Sequence, residues 1–194
     1  MKVKHLNITE NMTISEFITQ LDESGVLGAG RIAHATNLLA DSMKDPETKI
    51  FLSLAGPMVP GGLRKVVRDL VKNGYVDLII SSGANLTHDL VESFGGRHYA
   101  GLHEDDESLQ DSGIGRIGDI YTKSEDFEVF EEEIHKIFAK INEKYNSISI
   151  QKFLYEIGLL IEDDESIIKT AASNNVPIFA PGLIDCMIGL QLWI

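Results

Sequence analysis

Three stretches of the sequence place small and polar residues where backbone N–H groups can meet a ligand. Ser81-Ser82-Gly83-Ala84-Asn85 breaks off an apolar, β-branched run made by Val76, Leu78, Ile79 and Ile80. Leu86, Leu90 and Val91 then return at helical spacing, with Asn85 or Thr87 as the expected N-cap. Gly56-Pro57-Met58-Val59-Pro60-Gly61-Gly62 stands in the same relation to Ile50, Phe51, Leu52 and Leu54 before it and to Leu63, Val66, Val67, Leu70 and Val71 after it. A strand that turns tightly into a helix exposes N–H groups at the positive end of the helix dipole, where phosphates and dinucleotides bind in open α/β sheets. An ordinary strand–helix connection also favours Gly and Ser, so either turn alone is ambiguous. Two such exits from neighbouring strands form a crevice, and that favours a ligand site. Asp185, just beyond a third strand over 176–181, is placed either for a ribose hydroxyl or an amine, or as a helix N-cap.

Other residue clusters carry weaker chemistry. Arg116, in the glycine-punctuated stretch 113–119, could clamp a carboxylate or phosphate or form a structural ion pair. The acidic run Glu104-Asp105-Asp106-Glu107 reads as a solvated helix start or as a lip for a polyamine. His98 and His103 have no partner at metal-ligand spacing, so no metal site is expected. The single cysteine, Cys186, excludes an internal disulfide framework and reads as a small buried hydrophobe. Gly28-Ala29-Gly30 follows no strand and reads as a helix–helix connection instead of a nucleotide loop.

The elements that must hold these residues are legible from periodicity. Ile14, Phe17, Ile18 and Leu21 mark an amphipathic helix opened by a Thr13/Glu16 capping box and stopped at Gly25, and a second helix is expected from Arg31 to Met43. Two strand–turn–helix units follow, for which neighbouring parallel strands and a right-handed crossover are expected, both faces of the sheet being covered. Phe127, Phe130, Ile134, Ile137, Phe138 and Ile141 make one helical stripe over 126–145, and helices are expected over 150–161 and 166–172 before the third strand, 176–181. The predicted fold is α/β: a Rossmann-like open parallel sheet flanked by helices, with N-terminal helices. Residues 1–48 are expected to form a helical segment and 49–194 a dinucleotide-binding Rossmann-like region, together one domain. Leu190, Leu192, Trp193 and Ile194 end the chain as an apolar helix with no strand after it, so the C-terminal part of the fold is expected to be missing.

Composition narrows the partners. The 194 residues carry 17 basic and 30 acidic side chains, a net charge of −13, the wrong sign for a nucleic-acid surface and the right one for steering a cationic small molecule. No apolar run approaches the ~20 residues of a spanning helix, and the first residues lack the core of a signal peptide, so neither membrane nor export is expected and the cytoplasm is.

Taken together, Phe51–Leu90, Gly113–Tyr121 and Val176–Trp193 resemble the deoxyhypusine synthase family, in order and at the family's spacing, over essentially the whole chain but only about the first ~60% of such a protein. The resemblance implies NAD-dependent transfer of the aminobutyl group of spermidine to a lysine of the translation initiation factor 5A precursor. It implies that Gly56, Pro57, Met58, Val59, Pro60, Ser82, Gly83 and Ala84 hug the dinucleotide, with Asp185 as its aspartate ligand, in a homotetramer of the family type. Thr87 and His88 fall where acids help to hold the amine, Leu190 where a further amine-binding aspartate stands, and Pro57 where the eukaryotic loop carries asparagine. Asp89, or acids outside this chain, is expected to serve the amine instead. The imine-forming lysine is expected downstream of residue 194. A homospermidine-synthase-like transferase with another acceptor, a generic NAD-linked oxidoreductase and an inactive regulatory paralogue are the competing readings.

Overall fold

In the computed structural model, residues 2–101 and 105–194 are described, and the chain divides into two compact units at Ile50/Phe51. His103 and Glu104 lie outside the described residues.

The first unit is a helix pair. α1 (Ile14–Ser24) starts with the expected capping box, Thr13 accepting from the Glu16 N–H while the Glu16 side chain accepts from the Thr13 N–H, and ends at Gly25 with φ +65°. α2 runs from Leu27 to Lys44, four residues earlier than the periodicity suggests. Gly28, Ala29 and Gly30 are therefore its first turn, and the connection is only Gly25-Val26. Gly30 is required by proximity, since a Cβ there would stand 2.6 Å from the Gly25 carbonyl carbon.

The second unit is built on a parallel sheet of three strands in the order β1 (Phe51–Leu54), β2 (Leu78–Ser81), β6 (Ile178–Phe179). β2 pairs Phe51↔Leu78 through Leu54↔Ser81 on one side and Ile79↔Ile178 on the other. One face is the core: Leu54, Ile79 and Ile178 pack under α3 (Arg64–Lys72), α4 (Gly83–Ser93), α7 (Ile150–Leu160) and α8 (Ile167–Ser173) with Val67, Val71, Leu86, Leu90, Ile157 and Ile168. The other face is open, against the expectation that both are covered: Phe51, Ile80 and Phe179 are 65, 38 and 44% exposed. An apolar run does not distinguish these cases, because apolar residues on an uncovered face still satisfy strand propensity.

A second sheet is absent from the sequence reading. β3 (His98–Ala100), β4 (Ile114–Ile117) and β5 (Ile120–Lys123) form an antiparallel sheet in the order β3-β5-β4, next to the short α5 (Asp106–Asp111) and the long α6 (Ser124–Asn142). The stretch read as a glycine-rich loop is thus a hairpin, with Gly118 at φ +65° in a two-residue turn between Ile117 and Ile120. The chain finishes in a 3₁₀ turn, Leu183–Asp185, and α9 (Met187–Trp193), whose Leu190, Leu192 and Trp193 are exposed. No helix among the described residues is long and apolar enough to cross a membrane.

Candidate functional site

The carboxyl ends of β1, β2 and β6 open together into a crevice of about 640 Å3, lined by Ser53, Leu54, Ala55, Ile80 to Ala84, Pro181, Gly182 and Asp185. Local sequence explains each wall. After β2 the chain turns within a single residue, because Ser82 holds the β-region as N-cap of α4 and its Oγ accepts from the Asn85 N–H at 3.3 Å. The N-cap is therefore Ser82, and neither Asn85 nor Thr87, both of which lie inside the helix. Gly83 and Ala84 occupy the first turn of α4, where N–H groups have no carbonyl partner within the helix. After β1, the chain makes a wide helical turn over Val59–Leu63, broken at Gly62 with φ +87°, before α3 begins.

Asn85 ties these exits into one structure. Its Oδ1 accepts from the Val59 N–H at 2.9 Å and its Nδ2 donates to Ser81 Oγ at 3.2 Å, all in a buried setting. A Cβ on Gly56 would come within 3.6 Å of Ser82 Oγ and 3.8 Å of Ala84 Cβ, so the first loop lies against the second. Gly83 in turn abuts the third exit, where a Cβ would stand 2.5 Å from Cys186 Sγ and 3.1 Å from the Gly182 carbonyl oxygen. Cys186 is half-buried and donates to the Leu183 carbonyl at 2.9 Å. Asp185 caps no helix, since α9 takes Cys186 as an N-cap without a side-chain bond.

A second pocket of about 570 Å3 continues past Ala84 and Asp185, which stand in both walls, to Thr87, His88, Arg116, Phe127, Met187 and Leu190. Thr87, His88 and Leu190, scattered in the sequence, therefore share one cavity. Thr87 Oγ1 donates to the Gly83 carbonyl at 3.1 Å. Burial, with His98 beside it, lowers His88 to a pKa of about 4, against a weaker opposite pull from Glu92. His88 is thus neutral at pH 7.

Asp89, expected to serve an amine, is placed elsewhere. It is fully buried, and both oxygens are occupied: Arg64 Nε (2.7 Å) and the Ile167 N–H (3.1 Å) on Oδ1, Ser166 Oγ (2.8 Å) and the Ile168 N–H (3.0 Å) on Oδ2. This carboxylate anchors the N-terminus of α8 and neutralises a buried guanidinium, and it does not line the pocket. Burial opposes the charge of Arg64, but Asp89 and Asp163 outweigh it and raise its pKa. The acidic run 104–107 is also engaged where described: Asp105 caps α5, and Asp106 pairs with Arg116 Nε at 2.8 Å. Arg116 is therefore in an ion pair. The interactions missed from sequence are the Asn85 tie and the contacts of His98 with His88 and with Glu92. Only the i,i+4 spacing of His88 and Glu92 on one helix hinted at either.

An open α/β sheet whose strand exits share one crevice is the class of fold in which ligands are bound at the carboxyl edge of parallel strands. Residues 16–194 match the family model for deoxyhypusine synthase, and the chain belongs to that family. It is 55% identical over its whole length to a probable deoxyhypusine synthase of Methanothermobacter thermautotrophicus, covering 63% of that protein. Over 99% of its length it is 38% identical to one from Methanosarcina thermophila, covering 60% of it. A crystal structure from Entamoeba histolytica carrying the same family name superposes with a TM-score of 0.69 at 18% identity, over 98% of this chain and 66% of that one. The chain thus spans somewhat over three fifths of the relatives it matches.

Proposed function

We propose that this chain carries the dinucleotide-binding part of an NAD-dependent transferase that moves the aminobutyl group of spermidine onto a lysine of the translation initiation factor 5A precursor. The observation that carries the reading is the crevice itself, in which the β1 exit at Ala55 and the β2 exit at Ser82, Gly83 and Ala84 meet Asp185 on the third strand exit. The residues fit NAD. The free N–H groups of Gly83 and Ala84 at the start of the eleven-residue helix α4 suit a pyrophosphate, and the Asp185 carboxylate suits a ribose hydroxyl. Gly56, Pro57, Met58, Val59 and Pro60 follow the β1 exit and are not among the crevice's lining residues, Val59 and Pro60 being buried; it is by family resemblance that this loop is assigned to the dinucleotide, Pro57 contributing shape without a donor. NAD, when bound, supplies the hydride acceptor. The pocket beyond Ala84 takes the amine, in contact with Thr87, His88 and Leu190 and with Asp185 as the one carboxylate among its described lining residues. By family resemblance the imine-forming lysine is not among these residues, the assembly is a homotetramer and the location is the cytoplasm.

The experiment is incubation of the complete gene product with NAD, spermidine and the factor 5A precursor, followed by intact mass of the precursor. The precursor should gain the mass of one aminobutyl group. The sparse acid content of the pocket favours a second reading, a homospermidine-type transfer to a free diamine, which would leave the precursor unchanged and consume putrescine instead. Neither product would contradict both.

A further inference from the structure

His88 reaches beyond the pocket it lines. Its Nδ1 lies 2.9 Å from His98 Nε2, and His98 Nδ1 lies 2.7 Å from Glu92 Oε1, with the two rings edge to face at 4.8 Å. Glu92 belongs to another cavity, a cleft of about 690 Å3 at the carboxyl end of α4 that it shares with Arg64, Ser93, Arg97 and Asp163. The three side chains therefore join the amine pocket to a solvent-facing cleft, while the His98 side chain between them is only 5% exposed.

The chemistry of the end group fixes the middle. A carboxylate only accepts, so the 2.7 Å contact requires the hydrogen on His98 Nδ1. In its neutral form His98 carries that one N–H, so its Nε2 accepts, and the hydrogen of the 2.9 Å contact then sits on His88 Nδ1. His88 Nε2 is left with a lone pair and, among the described residues, no hydrogen-bond partner. The other Glu92 oxygen lies 3.6 Å from Arg64 Nη1, a partner suited to the ionised form. Thr122, the cross-strand neighbour of His98, also lines the pocket, and its buried Oγ1 has no hydrogen-bond partner either.

We propose that Glu92, His98 and His88 form a proton conduit, in which His88 Nε2 takes a proton from an ammonium group in the pocket and Glu92 releases one to water in the cleft. This rests on the amine-transfer reading above. The step balances without any oxidant. R–NH3+ gives a proton to His88 Nε2, the Nδ1 proton of His88 passes to His98 Nε2, and the Nδ1 proton of His98 passes to Glu92, which returns it to solvent. The products are a neutral R–NH2, the form that can lose hydride, and two rings in the opposite tautomer. A proton travelling back through the chain when the amine is regenerated resets both.

The groups facing His88 agree with this direction. They are His98 from β3, Glu92 from its own helix through His98, Arg116 from β4 and Asp185 from the turn before α9, while β5 and α6 present Thr122 and Phe127. Burial, which lowers His88 to about 4, keeps a proton from coming to rest on it. Arg116 stands at the pocket wall with its charge met by Asp106, at 2.8 Å. His88 is the group that would touch substrate; His98 and Glu92 are positioning residues.

Tautomers are read directly from long-range 1H–15N correlations of the histidine rings at neutral pH. Both His88 and His98 should carry the hydrogen on Nδ1, the minor form of free histidine, and Glu92→Leu should return both to the Nε2–H form. Either ring found as Nε2–H in the unaltered protein overturns the conduit. In the complete gene product, His98→Phe should leave NAD and spermidine affinity within about twofold while slowing the amine-dependent step roughly 10²-fold, the size of a lost general base. That loss should shrink as pH rises toward the ammonium pKa of about 10. An unchanged rate with binding intact overturns the proposal. If the unaltered protein binds neither NAD nor spermidine, the transferase reading fails, and the tautomers alone decide whether the conduit exists.

Discussion

Asp89 and His88 are adjacent in sequence and opposite in role, because consecutive helical residues point about 100° apart. Asp89 faces inward and is held by four donors, so its carboxylate belongs to the folding of α8. Asp89→Asn should destabilise the protein by about 3–5 kcal/mol by leaving Arg64 buried without its main counter-charge, a loss read as a large fall in denaturation midpoint. A midpoint unchanged within error would mean that Asp163 alone suffices for Arg64. His88 predicts a pH dependence. Its folded pKa of about 4 lies below the ordinary 6.5, so the unfolded chain binds the extra proton between those values. Stability is therefore fully present above pH 6.5 and falls toward pH 4, by about 2 kcal/mol between pH 7 and 5. Urea titrations should show this slope, and His88→Gln should remove it; a slope that persists would assign it to other groups. Which of two neighbouring polar residues faces the cavity depends on the helix phase. That phase follows from Ser82 being the N-cap, whereas the sequence pointed to Asn85 or Thr87 for that position.

At the level of elements, the strand exits were legible because an apolar run that stops at Gly56 or Gly83 and resumes at helical spacing has few other readings. What held them together was not. Asn85 acts through a bond to Val59, 26 residues away in the chain, and no local pattern announces such a partner. The hairpin 114–123 was hidden for a different reason: Gly115 and Gly118 give strands and loops the same composition, and pairing with His98 to Ala100 is decided by tertiary contact. Asn85→Ala should leave the Val59 N–H buried and unbonded, a cost of about 1–3 kcal/mol. Faster amide exchange should be confined to the loop around Val59 and the start of α4. Uniformly accelerated exchange, or none, would contradict the view that Asn85 is the tie between the two turns.

For the molecule as a whole, three parallel strands place one crevice and one adjoining pocket within reach of each other, and family membership gives that arrangement its meaning. The charge of −13 suits attraction of a polyamine, although the pocket itself carries a single described carboxylate, Asp185. Under the proposed function, attraction at long range and recognition at short range fall to different residues, and the former should weaken with salt. The most direct test of the central claim is a calorimetric titration of NAD into the complete gene product and its Asp185→Ala variant. The account predicts saturable binding to the unaltered protein, a loss of at least tenfold in affinity in the variant, and unchanged thermal stability of the variant without ligand, since Asp185 bonds within the fold through its backbone N–H, to the Gly182 carbonyl, which the substitution keeps. Equal affinity in the two proteins, or no binding to either, would contradict the assignment of the crevice to the dinucleotide.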